Sequence, residues 1–344
     1  MNITVFVPGL FATFKEISPA DIDALSCPAL SRLLARANKK ADTSVNNDDW
    51  LYQRFNVAHD AGRSIPVAAI TALQDGLDSK TGYWMRADPV YLQADTRSLI
   101  LQDPAQLELR KDEVRSIADL IAPLFEDDGA KLLAPHSARC YLNFATHVPG
   151  ISCTPLHAAL AKPVNALLPQ GEERRRWHTL FNEIQMLLNQ SEINRQREAR
   201  RLQPVNSLWF WGEGSFPGKL HSPYDLCVGD SAFLAGLCQA TATSYLTANG
   251  RSCHTLLENK RERTEVLIAD ERCQHAVRLS NPALWLQALQ KLEQETIAPL
   301  VGVLQQGEVK SITLHDGGIT FDCSARQMRS FWKPQRSLSA RLMP

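Results

Sequence analysis

The chain opens on Ile3 to Val7, a β-branched, weakly alternating stretch that predicts a core strand stopped by Pro8-Gly9. Leu30, Leu33 and Leu34 share one face of a short helix predicted over Pro28 to Ala37. Asn46 to Trp50 is polar and reads as a loop, after which Trp50, Phe55 and Val57 return to a core. Tyr83 to Leu92 predicts a strand, with Ser98 to Leu101 as its hairpin partner. A helix then starts near Lys111, with Ile117, Leu120, Ile121, Leu124 and Phe125 at helical spacing. Lys131 to Phe144 reads as a strand pair. The clearest helix runs from Trp177 to Asn189, where Trp177, Leu180, Phe181, Ile184, Leu187 and Leu188 form one apolar stripe.

Val205 to Trp211 is an apolar strand ending in Gly212-Glu213-Gly214. Asp230 to Tyr245 predicts a helix and Glu265 to Ala269 a buried strand. Asn281 caps a long helix that has Pro282 in its first turn and runs to about Gln306. Val309–Leu314 and Ile319–Cys323 are strands around the turn His315-Asp316-Gly317-Gly318. Strands interleaved with long helices predict a mostly parallel sheet. Such sheets bind ligands at the carboxyl ends of their strands, and both Pro8-Gly9 and Gly212-Glu213-Gly214 read as such ends.

Composition narrows the function. The chain has 344 residues, 44% of them hydrophobic and 22% charged, enough for a large core. Lys plus Arg equals Asp plus Glu at 37 each, so a nucleic-acid partner is not expected. The N-terminus lacks a basic leader, and no apolar run reaches the roughly 18–20 residues of a membrane helix. Eight cysteines are scattered without a C-x-x-C pair, as in a reduced, cytoplasmic protein.

Several polar groups are candidates for chemistry. Arg86 and Asp88 lie two apart on one strand face. They read either as an anion-binding Arg oriented by an Asp or as a salt bridge fixing a domain boundary. Trp209 and Trp211 share a face, as a ligand wall or as core. Glu213 between two glycines reads as an exposed carboxylate, for a ligand or for a cap. Arg174 to Arg176, with Arg195, Arg197, Arg200 and Arg201, form either an anion patch or a solvated face balanced by nearby Glu. His59-Asp60, His221, Asp225 and Asp230 are weaker polar candidates. No G-x-S-x-G and no P-loop is present.

Two stretches carry a resemblance. One is Asn182-Glu183-Ile184-Gln185-Met186, then Asn194-Arg195-x-Arg197-Glu198, then Val205-Asn206-Ser207-Leu208-Trp209-Phe210-Trp211-Gly212-Glu213-Gly214. The other is Gly82-Tyr83-Trp84-Met85-Arg86-Ala87-Asp88-Pro89-Val90. Together they resemble the RpfE-type regulatory proteins of proteobacteria, and the first is similar to archaeal-type cofactor-independent phosphoglycerate mutases. The mutase resemblance implies an alkaline-phosphatase-like α/β core with an inserted α+β domain. The expected division is 1–83 and 201–344 for the core and 84–200 for the insertion. It also implies two divalent metals, a phosphorylated Ser and a phosphate-binding Arg.

The sequence departs from that pattern. The resemblance calls for a metal-binding Asp at the end of the first strand, where Val7-Pro8-Gly9 stands. Its Asp-x-x-x-His pair has only a longer echo in Asp270 and His275, and its late Asp-His pair a reversed one in His315-Asp316. The expectation is therefore a non-catalytic regulatory or ligand-sensing protein that needs no cofactor. Its partner would be a small phosphorylated metabolite or a regulatory protein. The alternative is a divergent metal-dependent phosphomutase or phosphatase using Asp270, His275, His315 and Asp316.

Overall fold

The structure is a computed structural model that describes residues 1–41, 50–57, 65–95, 98–249, 264–329 and 337–342. Of the polar loop expected over Asn46 to Trp50, all but Trp50 lies outside the described residues, as does the His59-Asp60 pair; Trp50 begins the helix Trp50–Arg54. The chain divides into two compact units, Met1–Val57 with Lys219–Pro344, and Ala58–Gly218. The division falls outside the expected boundaries at 83/84 and 200/201. Strand pairing accounts for the second difference: Ser207–Ser215 runs antiparallel to Tyr83–Val90 and so lies in the second unit.

The first unit is built on a seven-stranded sheet. Its order is Ser244–Thr247, Leu226–Gly229, Glu265–Ala269, Asn2–Phe6, Ser311–His315, Ile319–Ser324 and Asn38–Ala41. The first five are parallel; Ile319–Ser324 runs antiparallel to both of its neighbours. Ile3, Val5, Val266, Ile268, Ile312 and Leu314 pack in one core with Leu30, Leu33 and Leu34 of the helix Pro28–Arg36. Each such buried side chain contributes roughly 1.5–3 kcal/mol. The edge strand Asn38–Ala41 is exposed along its length and carries Lys39 and Lys40, which discourages pairing with another chain.

The expected helix over 230–245 is shorter, Ala232–Ala240, and is followed by the strand Ser244–Thr247. Thr241 to Ser244 carries β-branched hydroxyl residues that leave a helix easily. The long C-terminal helix starts at Pro282 with Asn281 capping Leu284 N–H, as expected. It is interrupted by a π turn over Glu293–Ile297. Glu293 on that turn caps Pro28–Arg36, accepting from Ala29 N at 2.8 Å and Leu30 N at 2.9 Å. Cys27 at the N-cap supplies no side-chain bond there, so Glu293 satisfies the free N–H groups instead.

The second unit holds a four-stranded antiparallel sheet ordered Ser207–Ser215, Tyr83–Val90, Tyr141–Phe144 and Ala130–Leu133. Trp177 of the helix Arg174–Asn189 stacks edge-on against Phe210 at 4.9 Å. Phe125 and Phe144 close the same cluster. No described helix is long and apolar enough to cross a membrane.

Candidate functional site

At the carboxyl ends of the central parallel strands, Phe6, Ala269 and His315 lie abreast. Val7 N donates to His315 O and Asp270 N donates to Phe6 O, so the three chain exits are tied together. This places Val7-Pro8-Gly9, Asp270 and His315-Asp316 around one strand-end region of the first unit.

Each polar group there already has a task. The Asp270 carboxylate takes a forked pair from Arg272: Nε to Oδ1 at 2.9 Å and Nη2 to Oδ2 at 2.5 Å. The Arg272 Nη1 reaches Glu295 Oε2. Asp316 Oδ1 accepts from Gly318 N at 2.9 Å and Ile319 N at 2.7 Å, which holds its own turn. His315 Nδ1 accepts from Gly317 N at 2.8 Å. Its ring lies 4.7 Å from Trp50, which stacks on Phe6 at 4.5 Å and 12°. The Arg54 guanidinium covers the Trp50 ring at 5.3 Å. Trp50 and His315 are both buried, so aromatic packing fills the strand ends of Phe6 and His315.

These residues do not fit a two-metal centre. A metal ligand must present a free lone pair in a shared geometry. Asp270 spends both oxygens on a guanidinium, and Asp316 spends Oδ1 on backbone. His275 is exposed on the helix Arg272–Arg278. Val7, Pro8, Gly9 and Leu10 offer no side-chain donor at the end of the first strand. Among the described residues, no three His, Cys, Asp or Glu side chains cluster in a way that could hold a metal.

The other candidates gather in the second unit, and they are connected. Arg86 forks onto Asp88 through Nε at 2.9 Å and Nη2 at 2.7 Å. Asp88 also accepts from Trp211 Nε1 at 2.8 Å and from Cys140 N at 3.4 Å. The guanidinium lies between the rings of Trp211 and Tyr141, at 5.0 and 5.3 Å. Complete burial pushes the Asp88 carboxyl above its ordinary value, against the pull of Arg86, Trp211 and Cys140 N–H. Tyr141 donates to Asp75, which Arg139 also forks. Burial opposes the Asp75 charge, but Arg139 and Tyr141 outweigh it and hold the carboxyl below its usual range. Arg86 is thus paired with Asp88, and Arg139 with Asp75, inside the unit.

Gly212-Glu213-Gly214 is not the end of a parallel strand. It lies within Ser207–Ser215 where the register shifts between Trp211 and Gly214. Gly212 has φ +66°, and a Cβ there would meet Val67 Cβ at 3.0 Å; a Cβ at Gly214 would meet Pro66 Cβ at 2.7 Å. The glycines thus admit the helix Val67–Gln74 and its lead-in. Glu213 is buried rather than exposed, and its Oε1 accepts from Cys153 N at 3.1 Å. Trp209 donates Nε1 to Thr154 O at 2.9 Å and is core.

The motif polar groups are latches too. Asn194 Nδ2 donates to Leu188 O and Val205 O, both at 2.7 Å, and its Oδ1 accepts from Val205 N at 2.9 Å. Asn206 forms a similar two-bond clasp on Leu92. Arg197 is fully buried and binds Gln203 O, Leu107 O and Glu113. Arg200 shares Glu113, Arg195 pairs with exposed Glu192, and Arg176 pairs with Asp128. Asn194→Ala therefore strands the Val205 N–H and the Val205 carbonyl, while Leu188 O keeps Ser191 N and Oγ. Thermal or urea unfolding is expected to show a loss of about 2–3 kcal/mol, since each buried unpaired group costs about 1–3 kcal/mol. A loss under about 0.5 kcal/mol would contradict the latch, because that is the scatter of ordinary surface changes.

The remaining weak candidates sit apart. Asp225 Oδ2 ties the starts of two strands by accepting from Thr264 N and Glu265 N. With His221 it borders a polar cavity of about 340 Å³ at the amino ends of the strands. Asp230 accepts from Asn249 N at 3.0 Å.

Comparison with known proteins matches this scaffold. The chain is 33% identical over 76 residues to the 2,3-bisphosphoglycerate-independent phosphoglycerate mutase of Methanothrix thermoacetophila, covering 22% of this chain and 19% of that protein. It is 23% identical over 236 residues to the probable enzyme of the same name from Geobacter sulfurreducens, covering 64% and 59%. The scaffold is phosphoglycerate-mutase-like. The aligned part spans only 19 to 59% of the length of these relatives. Among solved structures, the PH0037 protein from Pyrococcus horikoshii superposes with a TM-score of 0.58 at 13% identity, over 94% of this chain and 87% of that one. No family model matches the chain. The mutase-like scaffold is thus the mostly parallel α/β class expected from the sequence, and its strand-end donors are already engaged.

Proposed function

We propose that this chain is a non-catalytic regulatory or ligand-sensing protein on a phosphoglycerate-mutase-like scaffold. The observation that supports this reading is the Arg272 fork on Asp270, beside a first strand that ends without a carboxylate. In-line phosphoryl transfer needs charge neutralised on the attacking and leaving oxygens. A carboxylate committed to a guanidinium cannot hold the ion that does so. The resemblance to RpfE-type regulatory proteins points the same way. The ligand class suggested by the relatives' names is a small phosphorylated metabolite; a protein partner is the other regulatory input. The reading includes a cytoplasmic setting, supported by seven described cysteines that are all buried thiols.

The test is turnover of phosphoglycerate and of a generic phosphomonoester with manganese, magnesium or zinc, alongside metal analysis of the protein. The expected result is no metal-dependent turnover. Stoichiometric metal accompanied by turnover would establish the divergent phosphomutase or phosphatase instead.

A further inference from the structure

The hairpin formed by Ala130–Leu133 and Tyr141–Phe144 is pinned to the helix Val67–Gln74 near its tip. Asp75, the C-cap residue of that helix, takes a fork from Arg139, with Nε at 2.7 Å and Nη2 at 2.5 Å. It also accepts from the Tyr141 hydroxyl at 2.6 Å. A carboxylate at this end of a helix faces the negative pole of the helix dipole, so Asp75 depends on those donors. His136 stands in the same tip as Arg139. Its ring is half-buried, and Nδ1 accepts from Ala138 N at 3.1 Å. That bond uses the lone pair of Nδ1, so the ring is neutral and carries its proton on Nε2.

Four charges face the ring from every side. They are Arg139 of the tip, Asp75 at the helix end, Arg86 of the strand Tyr83–Val90 and Lys111 of the helix Lys111–Ile121. The carboxylate among them is already covered by Arg139 and Tyr141. Burial first, and Arg139 next, hold the His136 ring below its ordinary value, and the opposing pull of Asp75 is outweighed.

We propose that His136 is a pH-sensitive latch: neutral, it folds the tip that lays Arg139 on Asp75; protonated, it lets that tip go. The proposal is independent of the non-catalytic reading. A proton on Nδ1 ends the Ala138 bond and sets an imidazolium beside the guanidinium that holds hairpin to helix. The unfolded chain takes this proton near pH ~6.5, and the folded chain only at lower pH. The stability that the latch contributes is therefore complete above that value and is lost as the pH falls through the lowered folded one.

The test follows the His136 ring, the Ala138 amide and the Arg139 Nε–H of the full chain by NMR, from about pH 8 to about pH 5. The three signals are expected to shift with one midpoint below about 6.5. Corrected for the intrinsic pH dependence of exchange, the Arg139 Nε–H should exchange on the order of fivefold faster below the midpoint, as loss of one modest hydrogen bond allows. His136→Asn keeps an acceptor for Ala138 N–H, as in an Asx turn, but cannot titrate. It should hold the Ala138 and Arg139 signals constant over the whole range. His136→Lys imposes the cation without the acceptor, and at about pH 8 its Arg139 Nε–H should exchange as fast as that of acidified wild type. A ring midpoint at or above about 6.5 would overturn the latch. So would an Arg139 response that survives His136→Asn, or a His136→Lys chain that matches neutral wild type. If His136→Lys does not fold, the wild-type and asparagine titrations decide.

Discussion

Replacing Arg86 with methionine is expected to destabilise the second unit by about 3–5 kcal/mol, the range for removing one partner of a buried ion pair. Arg86 and Asp88 have side chains only 7% and 1% exposed, so water cannot take over the lost bonds. Asp88 would keep Trp211 and Cys140 N–H but lose both guanidinium contacts. The rings of Tyr141 and Trp211 would also lose the cation between them. Urea unfolding followed by tryptophan fluorescence reads the change. Combining Arg86→Met with Asp88→Leu should recover most of the loss, because an apolar pair of similar volume replaces the ions without a stranded charge. If Arg86 were instead an anion-binding residue, the single change would cost little stability and would abolish ligand binding.

Trp50→Ala is the second large effect, expected at about 3–5 kcal/mol, as for truncation of a buried tryptophan. Trp50 is 3% exposed and sits on Phe6, beside His315 and under Arg54. Its removal leaves a cavity over two strand ends and exposes the His315 ring. The size of the effect separates two pictures of the strand end. A filled region loses several kcal/mol when its filler is cut back. An open crevice with Trp50 as a ligand wall would lose under about 1 kcal/mol, since a partly solvated ring has little buried area to forfeit.

Much of the first unit was legible in the chain. The apolar runs Ile3–Val7 and Glu265–Ala269 became neighbouring parallel strands, because a strand buried on both faces needs no alternation. Asn281-Pro282 marked its helix start through ordinary capping chemistry. The Trp177 stripe became a buried helix face because helical spacing reports burial directly. The motif strand was misplaced for a physical reason. An apolar run such as Val205–Trp211 does not say which sheet it joins, and Ser207–Ser215 pairs antiparallel with Tyr83–Val90. With that strand went the exposure expected of Glu213, which is buried.

The site was legible in part. Arg86 and Asp88 were singled out by their spacing of two, which is the spacing that lets one side chain fork onto the other along extended backbone. The same signal stands in Asp270-Glu271-Arg272 and could have revealed the Arg272 fork. It is masked because Asp270 also stands five residues before His275, close to the ligand spacing the resemblance implies. Glu295 carries no sequence signal of this role, since it reaches Arg272 from another helix through a π turn. The strand-end aromatic filler was hidden as well, for Trp50 meets His315 across 265 positions of chain.

The central claim is that the strand end of this mutase-like scaffold is closed to metal by its own side chains. A crystal of the wild-type chain soaked in Mn2+ and measured at an anomalous wavelength tests it most directly. The account predicts the Arg272 fork intact on Asp270 and no anomalous peak within bonding distance of Asp270, His315 or Asp316. A manganese peak ligated by Asp270, with Arg272 swung aside, would contradict it.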